Sequence, residues 1–453
     1  MIRLPLLLRV SWFLRGYPGR QVLRFLEESQ WHTPEQLAAL RDRKLAGLIE
    51  HAYENVPYWR EEMDERSLKP SDITKAADLP KLPVLTKDIL RREKARMWDP
   101  AMPKRKIRVS TTGGTTGEPM TVRRGLSDGA WSVQCFSRGL SWGGLTPAMP
   151  RVSLFGGSLG QGPSGSWAKR SFKRWAHGRK HFLPAFELGR GNVAEYMARI
   201  RESGCRHMIG YTSALHHLAQ YAEEAGLSAD LEAVFPTAEV LPENWKDQIA
   251  RVFRCKVLPF YGCGECNSLG FQCGEAEGYH RCDEHAILEA ERDGGAFLEG
   301  EGAFLVTDLD NRAMPIIRYR NGDAGVLSDE PCPCGRGLGR ILRIDGRIND
   351  QLLACNGDAI SGALAPHAFR LVRGVDLYQF VQDRPGQVLI RIVANERYNR
   401  DREENRVSDI VRAHLGEEAD VAFEYPEDIE RTPAGKARFV LNRADPSEPA
   451  AAP

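Results

Sequence analysis

Apolar side chains recur mostly at threes and fours across residues 35–65: Leu37, Leu40, Leu45, Leu48, Ile49 and Ala52. That spacing predicts a helix, and Thr33 and Pro34 suit its start. Thr86-Lys-Asp-Ile-Leu-Arg91 opens another, with Thr86 as its cap. Beyond residue 150, short β-like runs alternate with helical ones. Arg151–Phe155, His207–Gly210 and Lys256–Tyr261 read as strands, and residues 193–203 and 215–225 as helices. Alternation of this kind predicts an α/β architecture. Further on, Leu377–Gln382 and Gln387–Val393 read as strands around an Asp-Arg-Pro-Gly turn. A charged helix (398–415) and a strand at Val421–Tyr425 complete a small α+β unit. The boundary falls near Gly346-Arg347, giving an N-terminal domain (1–345), a small C-terminal domain (346–443) and a tail (444–453). The tail is rich in Ala, Pro and Ser and reads as disordered.

At 453 residues the chain exceeds one ordinary hydrophobic core, in keeping with that division. Its 42% hydrophobic and 27% charged content is that of a soluble globular protein. A formal net charge of +1 gives no global case for nucleic-acid binding. No apolar run reaches the ~20 residues of a membrane span. The segment Leu4–Leu14 is apolar but broken by Arg9, and it lacks the cleavage site of a signal peptide. It reads as a first helix packed on its own domain, with peripheral membrane contact as the alternative. Trp167–Lys180 interleaves six Lys/Arg with Trp167, Phe172 and Trp175. Its readings are a solvated helix with anchoring aromatics, or a surface for an anionic membrane or substrate.

The densest chemistry lies in Ser110-Thr-Thr-Gly-Gly-Thr-Thr-Gly-Glu-Pro119. Glycines let backbone N–H groups approach a ligand closely, and hydroxyls add donors that rotate. Together they suit a polyphosphate. The loop is no Walker motif, because no lysine follows the glycines. Three further segments fit triphosphate chemistry. In Phe260–Glu265 an aromatic precedes a tight turn: Tyr261 can stack on adenine, and Glu265 can bind Mg²⁺ through hard oxygen. In Ile317–Asp323 the carboxylate of Asp323 can accept from both ribose hydroxyls. In Glu430–Lys436 a loop presents Lys436, whose ammonium can stabilise charge on a reacting carboxylate and α-phosphate.

Ten cysteines are too few for a disulfide scaffold in a chain of this length, and they imply a reducing cytoplasm. Cys273, His280, Cys332 and Cys334 offer three thiolates and an imidazole, a common tetrahedral zinc set. Cys282 and His285 are alternative ligands. Cys263 and Cys266 flank Glu265 and read as pocket lining.

The order and spacing of segments 110–119, 237–241, 261–265, 318–323, 346–350 and 431–436 resemble the adenylate-forming superfamily. More closely, the chain looks like the phenylacetate–CoA ligase branch, including members associated with capsule biosynthesis and coenzyme F-390 synthesis. Ala313–Arg320, Cys332–Arg336 and Tyr378–Gln382 carry the closer likeness. The resemblance implies a large adenylate-forming α/β domain and a small mobile α+β domain. It implies that Thr111, Thr112, Gly113, Gly114, Thr115, Thr116 and Gly117 hold the ATP phosphates. Thr237–Leu241 would line the adenine, with Glu239 beside it, Tyr261 stacked on it and Asp323 on the ribose. Arg347 would lie at the domain junction and Lys436 would be the adenylation lysine. Some relatives carry a structural zinc at positions like those of the Cys/His set.

The implied activity is ATP-dependent conversion of a carboxylic acid to an acyl-adenylate, followed by transfer to CoA. Transfer to an amine or a sugar hydroxyl in surface-polysaccharide synthesis is the alternative. Two departures stand out. Asn349 occupies the pivot position where the family has Asp, and Gly357–Leu364 matches the usual post-hinge loop only loosely.

Overall fold

The computed structural model describes residues 2, 9, 12, 17–112, 120–155, 180–347, 352–360, 364–369, 372–429 and 439–444. The first helices are α1 (Gly19–Ser29), α2 (Pro34–Asn55) and α3 (Pro57–Glu65). The periodicity across 35–65 is therefore cut in two. Pro57 has no N–H to continue the ladder, and it starts α3 instead. Thr33 forms a capping box with Gln36 at the start of α2. Thr86 caps α4 (Lys87–Glu93), its Oγ1 accepting from Ile89 N–H at 3.3 Å.

Antiparallel arms β1 (Ile107–Thr112) and β2 (Met120–Gly125) flank the Gly-rich segment, and α5 (Asp128–Ser141) follows. A five-stranded parallel sheet comprises β3 (Arg151–Phe155), β4 (Lys180–Pro184), β5 (His207–Tyr211), β6 (Ala233–Thr237) and β7 (Lys256–Val257). Its order is β4-β3-β5-β6-β7. Helices α6 (Val193–Glu202), α7 (Thr212–Glu224) and α8 (Glu243–Phe253) connect these strands. Every residue of β5 is buried, as expected for a parallel strand covered on both faces.

The second large sheet is antiparallel, which the alternation of strands and helices in the sequence does not predict. It contains β8 (Phe260–Cys263), β9 (Asn267–Phe271), β10 (Tyr279–Arg281), β11 (Ala286–Arg292), β12 (Gly295–Phe297), β13 (Gly300–Asp308), β14 (Tyr319–Ser328) and β15 (Arg340–Arg347). Their order is β12-β11-β13-β14-β15-β10-β9-β8. The expected single strand 256–261 is thus two, β7 in one sheet and β8 in the other, with Leu258-Pro259 between them.

Helix α5 bridges the sheets. Its Cys135 and Leu140 share a core with Ile209 and Phe235 of the parallel sheet and Phe271 of the antiparallel one. A Cβ on Gly139 would lie 2.1 Å from the Phe271 ring, so only glycine allows that approach. Under the antiparallel sheet, α2 and α3 bury Leu48, Ile49 and Trp59. Trp59 is fully buried and its Nε1–H donates to Pro315 O at 3.0 Å. Its truncation to Ala should cost ~3–5 kcal/mol.

The C-terminal elements are β16 (Leu352–Leu353), β17 (Ala359–Ile360), α9 (Leu364–Ala368), β18 (Val375–Arg384), β19 (Gln387–Ala394), α10 (Arg400–Leu415), β20 (Asp420–Glu424) and β21 (Val440–Asn442). The hairpin, charged helix and following strand match the expected α+β pattern. The four-stranded sheet has order β20-β19-β18-β21.

Candidate active site

Glu265 lies in the turn from β8 to β9, where Cys263 pairs with Asn267. A Cβ on Gly262 would sit 1.9 Å from Asn267 O, so this hairpin closes only around glycine. Glu265 is 8% exposed, and its Oε1 accepts from the Tyr319 hydroxyl at 3.1 Å. Among the described residues its second oxygen has no protein donor. Arg124 of β2 reaches across the chain to donate to Gly264 O at 3.0 Å and to Glu265 O. The same guanidinium donates to Ser110 Oγ at 3.3 Å. One side chain therefore ties the arm leading into the Gly-rich loop to the turn bearing the carboxylate.

Beside it, Tyr261 is buried and donates its hydroxyl to Asp323 Oδ2 at 2.7 Å. Asn321 Nδ2 donates to the Tyr261 oxygen at 2.7 Å, and Asn321 Oδ1 accepts from Asp323 N–H at 3.0 Å. Burial, followed by the neighbouring Asp323 charge, pushes the Tyr261 phenol well up, so it stays a donor. Asp323 pairs in register with Arg347 across β14 and β15. The Glu265 turn is braced from below. His285 Nε2 lies 3.2 Å from Cys266 O, and Nδ1 lies 2.7 Å from Asp310 Oδ2. Burial opposes the charge on His285, but Asp308 and Asp310 outweigh it and bring its pKa to about 9. Lys44 Nζ meets Asp310 at 2.5 Å, and Arg138 meets Glu284 at 2.6 Å. This buried cluster is already neutralised by three cations.

Glu239 sits past the carboxyl end of β6, beside the carboxyl end of β5. Its carboxylate accepts from Ser213 N–H at 2.7 Å and Ser213 Oγ at 3.1 Å, capping α7. Clefts at the carboxyl ends of parallel strands are where such sheets take ligands. Phe155 and Tyr211 meet edge-to-face there, 5.0 Å between centroids. Burial, then Glu239, pushes the Tyr211 phenol up to about 12.

The Cys/His set converges on one point. The ligand atoms of Cys273, His280, Cys332 and Cys334 all lie within 4.8 Å of one another. Cys273 Sγ is 3.8 Å from Cys332 Sγ, and Cys334 Sγ is 3.2 Å from His280 Nε2. His280 Nδ1 lies 3.4 Å from Leu338 O, which directs Nε2 into the cluster. Burial lowers the His280 pKa to about 4, leaving the neutral imidazole a metal requires. Cys282 and His285 lie elsewhere: Cys282 is 3.9 Å from Arg138 Nη2, and His285 belongs to the cluster with Asp308 and Asp310. They are not part of this set. Cys266 is fully buried in the core and Cys263 packs partly buried against it.

Residues 352–443 match the family model of the CapK C-terminal domain. The chain is 28% identical over 364 residues to phenylacetate–coenzyme A ligase of Thermus thermophilus, covering 78% of this chain and 79% of that one. It is 24% identical over 412 residues to protein CapK of Staphylococcus aureus, covering 90% and 89%. Phenylacetate–coenzyme A ligase of Aromatoleum evansii is 25% identical over 446 residues, covering 92% and 97%. Over most of its length the chain is thus similar to members of the phenylacetate–CoA ligase-like branch of the adenylate-forming superfamily. Its fold is also that of 2-hydroxyisobutyryl-CoA ligase in the postadenylation state, with TM-score 0.73, 22% identity and coverage of 89% and 88%. The same ligase in its thioesterification state gives 0.59, at 23% identity and coverage of 91% and 90%.

Glu265, Tyr261 and Asp323 stand together, and Thr111 and Thr112 end the arm that Arg124 ties to them. Gly113, Gly114, Thr115, Thr116, Gly117, Asn349 and Lys436 lie outside the described residues, as do most of Leu4–Leu14 and nearly all of Trp167–Lys180. For Arg347 only the backbone is described. Arg124, Tyr319 and Asn321 received no role from sequence. Among the described residues no helix is long and apolar enough to cross a membrane.

Proposed function

We propose that the protein is an AMP-forming acid–thiol ligase. It joins a carboxylic acid to the α-phosphate of ATP, releasing pyrophosphate, and then passes the acyl group to the CoA thiol, releasing AMP. The observation that supports this best is the convergence of the strand arms carrying Ser110 and Arg124 with residues 261–265 and 319–323 on one site through Arg124, Tyr319 and Tyr261. Thr111–Gly117 hold the phosphates. Tyr261 faces the base, and Asp323, oriented by Tyr261 and Asn321, takes the ribose. Glu239 fixes the edge of the adenine wall by holding α7 in place. Glu265 presents one oxygen held by Tyr319 and a second for a hard cation, a donor set that fits Mg²⁺. Mg²⁺, when bound, neutralises charge on the phosphates.

Residues 1–345 form the adenylate-forming domain, and residues 346–443 the mobile domain that brings in Arg347 and Lys436. Gly346 has φ of +95°, a conformation suited to glycine at the junction. The Cys273/His280/Cys332/Cys334 group holds a structural zinc ion. Zn–S bonds of ~2.3 Å give a tetrahedral edge of ~3.8 Å, the separation found between Cys273 and Cys332. All ten cysteines are free, which suits a reducing cytoplasm.

A second reading keeps adenylation but transfers the acyl group to an amine or sugar hydroxyl. The CapK match of residues 352–443 is what favours it. The deciding experiment measures pyrophosphate release from ATP and Mg²⁺ across aryl, fatty and sugar-derived acids, with and without CoA. One acid driving release with CoA consumed supports the ligase. Release without CoA consumption supports the second reading, and no release with any acid counts against both. Lys436→Ala should abolish release while ATP binding persists; undiminished turnover would remove that lysine from the mechanism.

A further inference from the structure

Two seams join the C-terminal sheet to the α7/α8 face. The polar seam centres on Asp376 of β18, which is 5% exposed. Its Oδ1 accepts from Gln220 Nε2 at 2.6 Å and Asn395 Nδ2 at 2.6 Å, and Oδ2 accepts from Arg190 Nη2 at 2.7 Å. Its backbone oxygen lies 3.0 Å from His217 Nε2. Three of these four partners belong to the N-terminal domain. Arg190 is braced by Glu224 at 2.8 Å and lies over the Tyr221 ring. The apolar seam centres on Trp245 of α8. It stacks on His216 with centroids 4.0 Å apart and planes 5° apart, and it packs edge-on against Tyr378 and Phe439. Trp245 is 4% exposed and joins the C-terminal core cluster.

An apolar seam alone tolerates sliding, whereas a buried carboxylate with directed donors specifies one arrangement. Release of the domain returns Asp376 to water, so the seam is selective without being irreversible. We propose that Asp376 is a positioning residue: its carboxylate latches the C-terminal domain onto α7 in the arrangement that forms the adenylate, and lets go before acyl transfer. The assignment to the first half-reaction rests on the ligase reading above and on the better superposition with the postadenylation arrangement. The latch itself rests on contacts alone.

The test is hydroxyl-radical footprinting of the full chain, which reads Trp245 exposure without needing activity. Two variants are compared with wild type: Asp376→Ala, and Arg190→Ala, whose side chain is 47% exposed, so that its truncation should leave both cores packed. Losing one charge-assisted bond should shift the docked-to-released ratio about tenfold. Labelling of Trp245 rises accordingly, while Trp59, fully buried in the other core, stays unlabelled. In parallel, pyrophosphate release should fall relative to thioester formation from preformed acyl-adenylate. Unchanged Trp245 labelling in both variants overturns the latch. Raised labelling with an unchanged ratio of half-reactions overturns its assignment to adenylation. Raised labelling with no adenylation of any acid upholds the latch and discards the ligase reading instead.

Discussion

Tyr319→Phe removes one oxygen from a packed site and little else. Tyr319 is 2% exposed, and its hydroxyl donates to Glu265 Oε1 at 3.1 Å. Burial, and after it the Glu265 charge, raises the phenol far above its ordinary range, so it donates at any working pH. A hydrogen bond to a charged group is worth ~1.5–3 kcal/mol. A length of 3.1 Å exceeds the ~2.5–2.7 Å of a strong O–H···O⁻ bond, which places this one near ~1.5 kcal/mol. On the role proposed for Glu265, that energy holds the carboxylate in the orientation that would offer its other oxygen to Mg²⁺. Without it, the Mg²⁺ needed for half-maximal pyrophosphate release should rise about tenfold. The rate at saturating Mg²⁺ should change little. The assay is a Mg²⁺ titration at fixed ATP and acid, with Glu265→Gln as the variant lacking the charge. A Tyr319→Phe curve that overlays wild type, beside a displaced Glu265→Gln curve, would refute the idea that Tyr319 orients the carboxylate.

Three other outcomes are expected. Elemental analysis should find one zinc per chain, absent from Cys332→Ser, whose thermal unfolding midpoint falls; equal midpoints with and without chelator would remove the metal. His285 has its folded pKa raised from 6.5 to about 9, so its contribution is full below 6.5 and is lost as pH rises through 9. Urea unfolding should therefore show stability declining over that window by ~3 kcal/mol at most, with the slope gone in His285→Gln; a flat wild-type profile contradicts it. Gly262→Ala forces a Cβ against the Asn267 carbonyl and should destabilise by ~1–3 kcal/mol, measured by denaturant titration; wild-type stability would mean that the hairpin relaxes freely.

Much of this arrangement could be read in advance, for identifiable reasons. Strands of the parallel sheet are short apolar runs separated by amphipathic helices, and such runs announce themselves. The antiparallel sheet hides its pattern. β10 and β12 have three residues each, and β13 pairs with β14 through a register shift between Ala303 and Leu305. Bulges and short strands leave too few alternations for a period of two to be seen. That Glu265, Tyr261 and Asp323 come together could be expected, because their residue types suggest one shared pocket. Arg124 was not, because a basic residue in a strand signals nothing until the fold brings Ser110 and Glu265 to it. Glu239 was expected beside the base, and its cap on α7 was invisible because the capping carboxylate lies 26 residues beyond Ser213. The Cys/His set was legible by composition alone, whereas the Leu338 carbonyl that orients His280 was not.

The two-residue joint at Leu258-Pro259 has a consequence for how this protein can be rebuilt. It is the point where the chain leaves one sheet for the other, and Pro259 offers no N–H to either ladder. A chimaera that exchanges Arg151–Val257 with a relative therefore cuts no strand and no hairpin. The graft must still respect α5, whose Phe136 lies against Phe260 and Phe271 while Leu140 shares a core with Phe235. Donor segments should transplant cleanly when they keep the volumes at Ile209 and Phe235 and the partners of the C-terminal seam, Arg190, Gln220 and Trp245; those that change Ile209 or Phe235 will need α5 to travel with them.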